Sequence, residues 1–363
     1  MLEYLIKRLL LIIPTFVGIC LITFFIMKLA PGDPIMTKLM FSGNISAEAL
    51  AAQLENSKPA IELPENYVGL AKKISYLIHG RRLPDITQST TFKAFKWTGE
   101  NTVFFTKWFG NVIRLDFGRS FKDKRPVLLK ICEALPITLL INITTIFIIY
   151  MVSIPLGILS AIKAGSAFDK IVMIKLFILY SLPGFWVAIM LLTFFAGGEY
   201  FDLFPLTGIV SDNHAQMGNF ARIGDIIWHL TLPVLAETIG SFAFLTRFSR
   251  SNFLDVIKQD YVRTARAKGL PETQVIGKHA LRNALIPFIT LMGTLLPSLL
   301  GGSVIVEQVF SIPGMGMLSF EAVLGRDHNL IMGLSAITAM LTLVSLLISD
   351  LLYSLADPRI TLK

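Results

Sequence analysis

Charged residues and cysteines are both scarce in this 363-residue chain. Asp, Glu, Lys and Arg account for 16% of the residues, whereas about 25% is usual in soluble globular proteins, and hydrophobic residues account for 53%. The two cysteines, Cys20 and Cys132, are too few for a disulfide framework, so we expect both to be buried as small hydrophobic side chains. These shortages exclude an ordinary soluble domain and a small secreted domain held by disulfides.

A phosphate-binding loop of the form Gly-x-x-x-x-Gly-Lys-Ser/Thr is absent, which excludes ATP hydrolysis in the P-loop manner. The pair Lys268-Gly269 has the wrong order for such a loop. An intramembrane serine hydrolase would need an activating base, and its weak candidates, Ser160 and Asp350, have no suitable histidine partner in the apolar segments. We therefore predict that the chain is not an enzyme.

Long apolar runs are what the chain has in abundance. Uncharged runs cover 9–27, 134–162, 176–198, 283–306 and 329–349, and 226–246 is apolar apart from His229 and Glu237. Each is long enough to cross about 30 Å of hydrocarbon, and backbone groups in lipid must bond within their own segment, which favours helices. The predicted fold class is an all-α integral membrane protein with about six transmembrane helices, at 1–30, 134–162, 171–198, 226–248, 283–306 and 329–353.

The distribution of Lys and Arg predicts the orientation in the membrane. Lys7 and Arg8 precede the first span, 163–175 carries three lysines and 249–282 carries seven Lys or Arg residues. In contrast, 199–225 offers only Arg222, and 307–328 only Arg326. By the positive-inside rule both termini are cytoplasmic. Because the net charge of +8 is explained by these loops and an outer domain, it does not require a nucleic acid partner.

Residues 31–130 form the predicted extracytoplasmic domain. They hold fifteen Lys or Arg residues against nine acids, but long loops cross the membrane largely regardless of charge. Ser46 is a candidate cap of a short helix, 67–78 has a helical apolar period, and 83–100 is polar without a period and is expected to be a loop.

The segment Asp260–Pro271 carries the most information. Its apolar residues, among them Val262 and Ala265, predict one buried helical face, and Gly269 suits the left-handed position that ends a helix. Pro271 is suited to the first turn of a second helix. From the residues alone, a partner-binding turn and a merely basic loop beside the membrane are equally plausible.

The run Tyr261-Val-Arg-Thr-Ala-Arg-Ala-Lys-Gly-Leu270 resembles the cytoplasmic loop of permease subunits in peptide-type ABC importers, the oligopeptide and dipeptide permeases. Segments 279–285, 306–316, 350–353 and 357–359 resemble the same branch, and the likeness covers 1–44 and about 105–360. Residues around 80–107 look like an insertion. The general ABC importer motif has Glu-Ala-Ala where this chain has Arg263-Thr264-Ala265, so contacts of that Glu cannot be transferred.

This resemblance implies a type I ABC importer permease fold, with 131–363 as the transmembrane core and 249–284 as the cytoplasmic coupling loop. The chain would form half of the pathway for ATP-driven import of di- or oligopeptides, in a bacterial cytoplasmic membrane. The implied partners are a second homologous permease, two ATPase subunits that hold ATP and Mg, and an extracytoplasmic solute-binding protein. The chain itself would bind no cofactor. Residues implied in ATPase coupling are Arg263, Ala265, Arg266, Lys268, Gly269, Leu270 and Pro271.

Two acids are further candidates. Glu237, inside an apolar run, and Glu307 are expected at the pathway or at a contact between subunits, and Glu237 is more plausibly paired with Thr238, Ser241 or another subunit than with substrate. The cargo could also be nickel or a glycoside. A secondary transporter is a remote alternative, because we find no internal repeat of the kind such carriers often contain.

Overall fold

In a computed structural model of the chain, the described residues are 2–29, 90–198, 200–295 and 297–356, and their regular structure is helical throughout. The α-helices are α1 Leu2–Leu29, α2 Thr90–Ile113, α3 Val127–Ile162, α4 Ala167–Ser181, α5 Gly184–Phe195, α6 Asn219–Ile257, α7 Asp260–Ala267, α8 Glu272–Gln274, α9 Leu281–Ala284, α10 Ile286–Leu295, α11 Val304–Val309, α12 Met315–Leu324 and α13 His328–Ala356. A π-helix covers Val275–Ala280, and 3-10 helices cover His214–Gln216 and Pro297–Leu300. The predicted all-α class is confirmed.

Four of these helices are long and apolar enough to cross a membrane: α1 over Ile6–Met27, α3, α6, and α13 over His328–Leu351. The pair α4 and α5 meets at an angle of 96° and makes a fifth if it is taken as one span. The count of about six therefore stays a prediction.

The predicted span 171–198 is not one straight helix. Leu182 and Pro183 between α4 and α5 both have extended backbone, with ψ of 128° and 132°. Proline has no N–H for the helical ladder, and its ring disfavours helical geometry in the residue before it, so the helix ends here.

The predicted span 283–306 is also interrupted. Among the described residues it contains the end of α9, then α10, a 3-10 turn and the start of α11. Pro287 is tolerated in the first turn of α10, but Gly302 adopts φ +63°, which no helix accommodates. The absence of charged residues from 283–306 therefore did not predict a continuous helix.

Residues 90–100 belong to helix α2, so the expected loop over 83–100 is wrong for that part. Phe92 and Phe95 have the three-residue spacing of a helix, and the turns that follow contain Val103, Phe105 and Val112. The polar residues between them masked this period. The expected helices near Ser46 and over 67–78 lie outside the described residues.

The chain divides into two compact units. The smaller one takes its described residues from the ranges Val17–Leu128 and Ala322–Ala336. Phe24 of α1 is fully buried there, with ring centroids 5.7 Å from Phe104 and 5.5 Å from Phe105. Buried Asp327 accepts hydrogen bonds from the Ser120 hydroxyl at 2.5 Å and the Phe121 N–H at 2.8 Å. These contacts fix the segment that leads into α3.

The larger unit takes its described residues from Met1–Phe16, Leu129–Glu321 and Ile337–Lys363. Its main apolar cluster joins α3, α5, α6 and the segment around α11, through residues such as Ile141, Ala188, Leu232 and Ile312. Cys132 is exposed, contrary to expectation, because the buried stripe of α3 at this point runs through Ile131 and Ala134. Cys20 is buried as predicted.

Candidate functional site

A sharp turn follows helix α7. Lys268 caps the helix with its N–H donated to the Thr264 carbonyl at 3.1 Å, and the Gly269 N–H donates to the Arg266 carbonyl at 2.9 Å. Gly269 has φ +76°, in the left-handed region where a side chain is strained. The predicted role of Gly269 as a helix-ending glycine is confirmed. Pro271 then takes the cap position immediately before α8.

One face of α7 is fully packed. Val262 is completely buried and Ala265 is 5% exposed, as the apolar period predicts. They belong to an apolar cluster that joins α3, α6, α7, the π-helix and α9; its other buried members are Ala161, Phe253, Val275, Ala280 and Ala284. Ala265 thus faces the interior of the chain, where no partner protein can reach it in this conformation. Its side chain holds the turn in place.

The opposite face of the turn is exposed and basic. Arg263, Arg266, Lys268, Gly269 and Pro271 are exposed, and Leu270 is half-buried. We call these exposed residues the basic turn. The Arg266 guanidinium donates to both Glu272 carboxylate oxygens, at 3.2 and 2.7 Å. This hydrogen bonding lowers the pKa of Glu272 and raises the pKa of Arg266, because each charged group stabilises the charged form of the other.

A charged anchor lies beside the apolar base of the basic turn. Asp169, 3% exposed at the start of α4, accepts hydrogen bonds from Arg250 Nε at 2.6 Å and Arg250 Nη2 at 2.7 Å. The Ser160 hydroxyl donates to the same carboxylate at 2.5 Å, and the Gly165 N–H at 2.9 Å. We call Ser160, Gly165, Asp169 and Arg250 the anchor. The anchor connects α3, α4 and α6. Its Arg250 lies three residues before Phe253, which is buried in the apolar cluster under α7.

Helices α3 and α6 approach each other closely beside the anchor. A side chain at Gly157 would lie 2.5 Å from Ser249 Cβ and 2.6 Å from the Thr246 carbonyl oxygen, so only glycine fits. The Ser249 hydroxyl donates to the Ile154 carbonyl across this contact at 3.1 Å. Sequence reasoning missed both Gly157 and Asp169. Their signals were a glycine in an apolar helix and an Asp three residues after the helix-capping Ser166.

Glu237 lines a cavity of about 420 Å³. Most of its wall comes from helices α3, α6 and α10. The polar lining residues are Asn142, Thr145, Tyr150, Tyr180, Glu237, Ser241 and Ser298. The expected pairing of Glu237 with Thr238 is wrong, because the Thr238 hydroxyl donates to the Val234 carbonyl of its own helix at 2.6 Å. Instead, the Thr145 hydroxyl of α3 donates to Glu237 Oε2 at 3.3 Å.

Glu307 does not line this cavity and is 2% exposed. Its carboxylate accepts hydrogen bonds from the Thr138 hydroxyl at 3.0 Å and the Met317 N–H at 2.8 Å. Gly302 and Gly314 leave room for it, because a Cβ at either position would lie 2.5 Å from the carboxylate. In this chain Glu307 fastens the 302–317 segment to α3.

No group of three or more His, Cys, Asp or Glu side chains that could hold a metal ion occurs among the residues that the structure describes. The long apolar helices define a class: a polytopic membrane protein. Residues 153–362 match the family described as "Binding-protein-dependent transport system inner membrane component".

Three relatives align over nearly the whole chain. The inner membrane ABC transporter permease protein YejB of Escherichia coli O157:H7 is 38% identical, over 98% of this chain and 98% of its own length. The peptidoglycan transport system permease protein YejB of Agrobacterium fabrum is 36% identical, over 98% and 97%. The oligopeptide transport system permease protein AppB of Bacillus subtilis is 38% identical, over 99% of each.

The chain therefore belongs to the binding-protein-dependent transport system inner membrane components, as a permease subunit of the peptide-type ABC importers. It is a multi-pass inner-membrane protein of a transport system.

Proposed function

We propose that this permease forms half of the translocation pathway of an ATP-driven importer of di- and oligopeptides, and that the basic turn transmits ATP hydrolysis to it. A second homologous permease completes the pathway, two ATPase subunits hold ATP and Mg, and an extracytoplasmic solute-binding protein delivers the cargo. Both termini are cytoplasmic. The name of the Bacillus subtilis relative supports a peptide cargo, and the name of the Agrobacterium fabrum relative favours a peptide-bearing cell-wall fragment as the second candidate.

One observation carries the coupling role: the basic turn is exposed on one side and rigidly supported on the other. Val262 and Ala265 lock α7 onto the apolar cluster, while Arg263, Arg266 and Lys268 remain exposed. Because the core beneath α7 is close-packed, the exposed cationic surface can transmit a movement without deforming. Its positive charge is complementary to a carboxylate-bearing groove on the ATPase subunit. A loop that served only the positive-inside rule would not need this buried support.

The test is Gly269→Val. No atom lies within 4 Å of the position where a Cβ would be added, so the substitution acts through the backbone, where φ +76° is strained by about 1–3 kcal/mol for a side-chain-bearing residue. We expect normal amounts of protein in the membrane, sharply reduced peptide uptake, and ATP hydrolysis that no longer depends on the solute-binding protein.

Gly198→Val is the matched control, because Gly198 has φ +72° and equally open surroundings but lies outside the basic turn. It should reproduce any loss of stability without separating hydrolysis from uptake. Full ATP-driven uptake by Gly269→Val at normal expression would contradict the coupling role.

A further inference from the structure

Glu237 is half-buried, and it accepts fewer hydrogen bonds than the buried carboxylates of the described chain. Asp169 is bound by Arg250, Asp225 by Ser211 and His214, Asp327 by Ser120 and the Phe121 N–H, and Glu307 by Thr138 and the Met317 N–H. For Glu237, the Thr145 hydroxyl is the one described donor, and its 3.3 Å distance is long for an O–H···O bond. Among the described residues no Lys, Arg or His forms an ion pair with it.

The cavity beside Glu237 is suited to a small organic cation. Its volume of about 420 Å³ falls within the range of about 300–1,000 Å³ that is typical of small-molecule sites. The walls are mainly apolar, with Ile149, Phe244 and Leu291 among the lining residues. Ser241 lies one helical turn from Glu237 on α6 and also lines the cavity, so its hydroxyl is a second acceptor on the same wall.

An ammonium group fits these acceptors better than a metal ion does. Ammonium carries three N–H donors, which one carboxylate and neighbouring hydroxyls can accept. A hard metal cation such as Ca²⁺ requires about six to eight oxygen ligands, and the described residues contain no group of metal-ligating side chains. The ligand is therefore expected to be an organic molecule with one primary ammonium group and a body of variable, partly apolar character.

We propose that Glu237 and its cavity bind the N-terminal ammonium group of the cargo during its passage. The assignment of the cargo to peptides rests on the proposed function, whereas recognition of an ammonium group rests on the cavity. The Glu237 carboxylate would bind the ammonium group that all peptides with a free N-terminus carry. The apolar walls would accommodate different side chains. The permease would thus select peptides by their free N-terminus and would accept different peptide sequences.

The test measures binding to the purified transporter complex in nanodiscs, without ATP and without the solute-binding protein. Saturation-transfer NMR should detect dialanine, methylammonium should compete with it, and N-acetyl-dialanine should not bind. Glu237→Gln should weaken dialanine binding about ten-fold or more, because a hydrogen bond to a charged group contributes at least that factor. Glu237→Asp should recover part of the binding.

Two further variants separate recognition from folding. Ser241→Lys places an ammonium group one turn from Glu237 and should abolish dialanine binding while the unfolding temperature is kept. Asp350→Asn removes a membrane carboxylate that pairs with Arg8 outside the cavity, and should leave binding unchanged.

Equal binding of N-acetyl-dialanine, unchanged binding by a folded Glu237→Gln, or competition by sodium as strong as that by methylammonium would each overturn the proposal. Because neither ATP nor the solute-binding protein takes part, such a result would leave the coupling test with Gly269→Val unaffected.

Discussion

Among the described residues, the groups that donate hydrogen bonds to the buried Glu307 carboxylate are uncharged. Thr138 and the Met317 N–H donate to it, and the Thr138 hydroxyl in turn accepts from the Met315 N–H at 2.8 Å. These hydrogen bonds connect Thr138 of α3 to Glu307 of α11 and to Met315 at the start of α12, and they connect Glu307 to Met317 of α12. The glycines around the carboxylate are part of this arrangement, because larger residues would displace it.

Gly314→Ala tests that arrangement. The added Cβ would lie 2.5–2.6 Å from the Glu307 carboxyl atoms, so the side chain must shift and its hydrogen bonds weaken, at about 1–3 kcal/mol of stability. Thermal unfolding of the purified protein should show a clear drop in midpoint. Gly224→Ala is the control, because no atom lies within 4 Å of its added Cβ and alanine favours the helix, so it should unfold at or slightly above the wild-type midpoint. If the two variants unfold alike, the glycines do not shape this site.

The conformation or burial of single residues was predictable from sequence where it depends on local helix geometry. Gly269 followed from a helix-ending pattern, and the burial of Val262 and Ala265 followed from a helical period. The partner of Glu237 was not predictable, because Thr145 lies 92 positions away along the chain. Contacts between distant helices depend on packing, which no local pattern contains.

At the scale of helices, the anchor decides where the basic turn can lie. Arg250 and Phe253 are neighbours on α6, one bound to Asp169 and the other buried under α7. We therefore expect a displacement of the turn to reach α3 and α4 through α6. The π-helix at Val275–Ala280 follows on the other side of the turn, and such helices are rare and frequent at functional sites.

Removal of one half of the anchor should be costly. Arg250→Ala leaves the nearly buried Asp169 carboxylate without its counter-charge, and we expect a loss of about 3 kcal/mol. The double variant Asp169→Leu with Arg250→Leu should regain much of this stability, because no unpaired charge is left. Arg263→Ala is the control, since its pair with Asp260 is 3.8 Å long and highly exposed. Wild-type unfolding of Arg250→Ala would contradict the structural role of the anchor.

Helices were predicted well where apolar runs are unbroken and poorly where glycine and proline interrupt them. Apolar runs correctly indicated α1, α3, α6 and α13. They also suggested uninterrupted spans over 171–198 and 283–306, where Pro183 and Gly302 end the helical geometry. Hydropathy measures the transfer of side chains into lipid and does not register backbone angles.

For the whole molecule, the orientation in the membrane is a prediction that labelling can check. In a Cys132→Ser background, single cysteines at Lys107, Asp212 and Lys258, all exposed positions, can be treated with an impermeant thiol reagent in intact cells. We expect labelling at 107 and 212 and protection at 258, because Lys and Arg concentrate in the 249–282 segment. The reverse pattern would invert the topology and place the basic turn on the side without ATP.

A contact between the first and last helices carries a consequence for biosynthesis. Arg8 Nη2 lies 2.6 Å from Asp350 Oδ2, a pair that joins α1 to α13. Roughly 340 residues separate the two, so at about 5–20 residues per second a ribosome needs on the order of 20 to 70 seconds to supply the second partner after the first. Throughout that time the arginine of the nascent first helix must be solvated by lipid headgroups or water alone, because only the completed chain supplies its carboxylate partner.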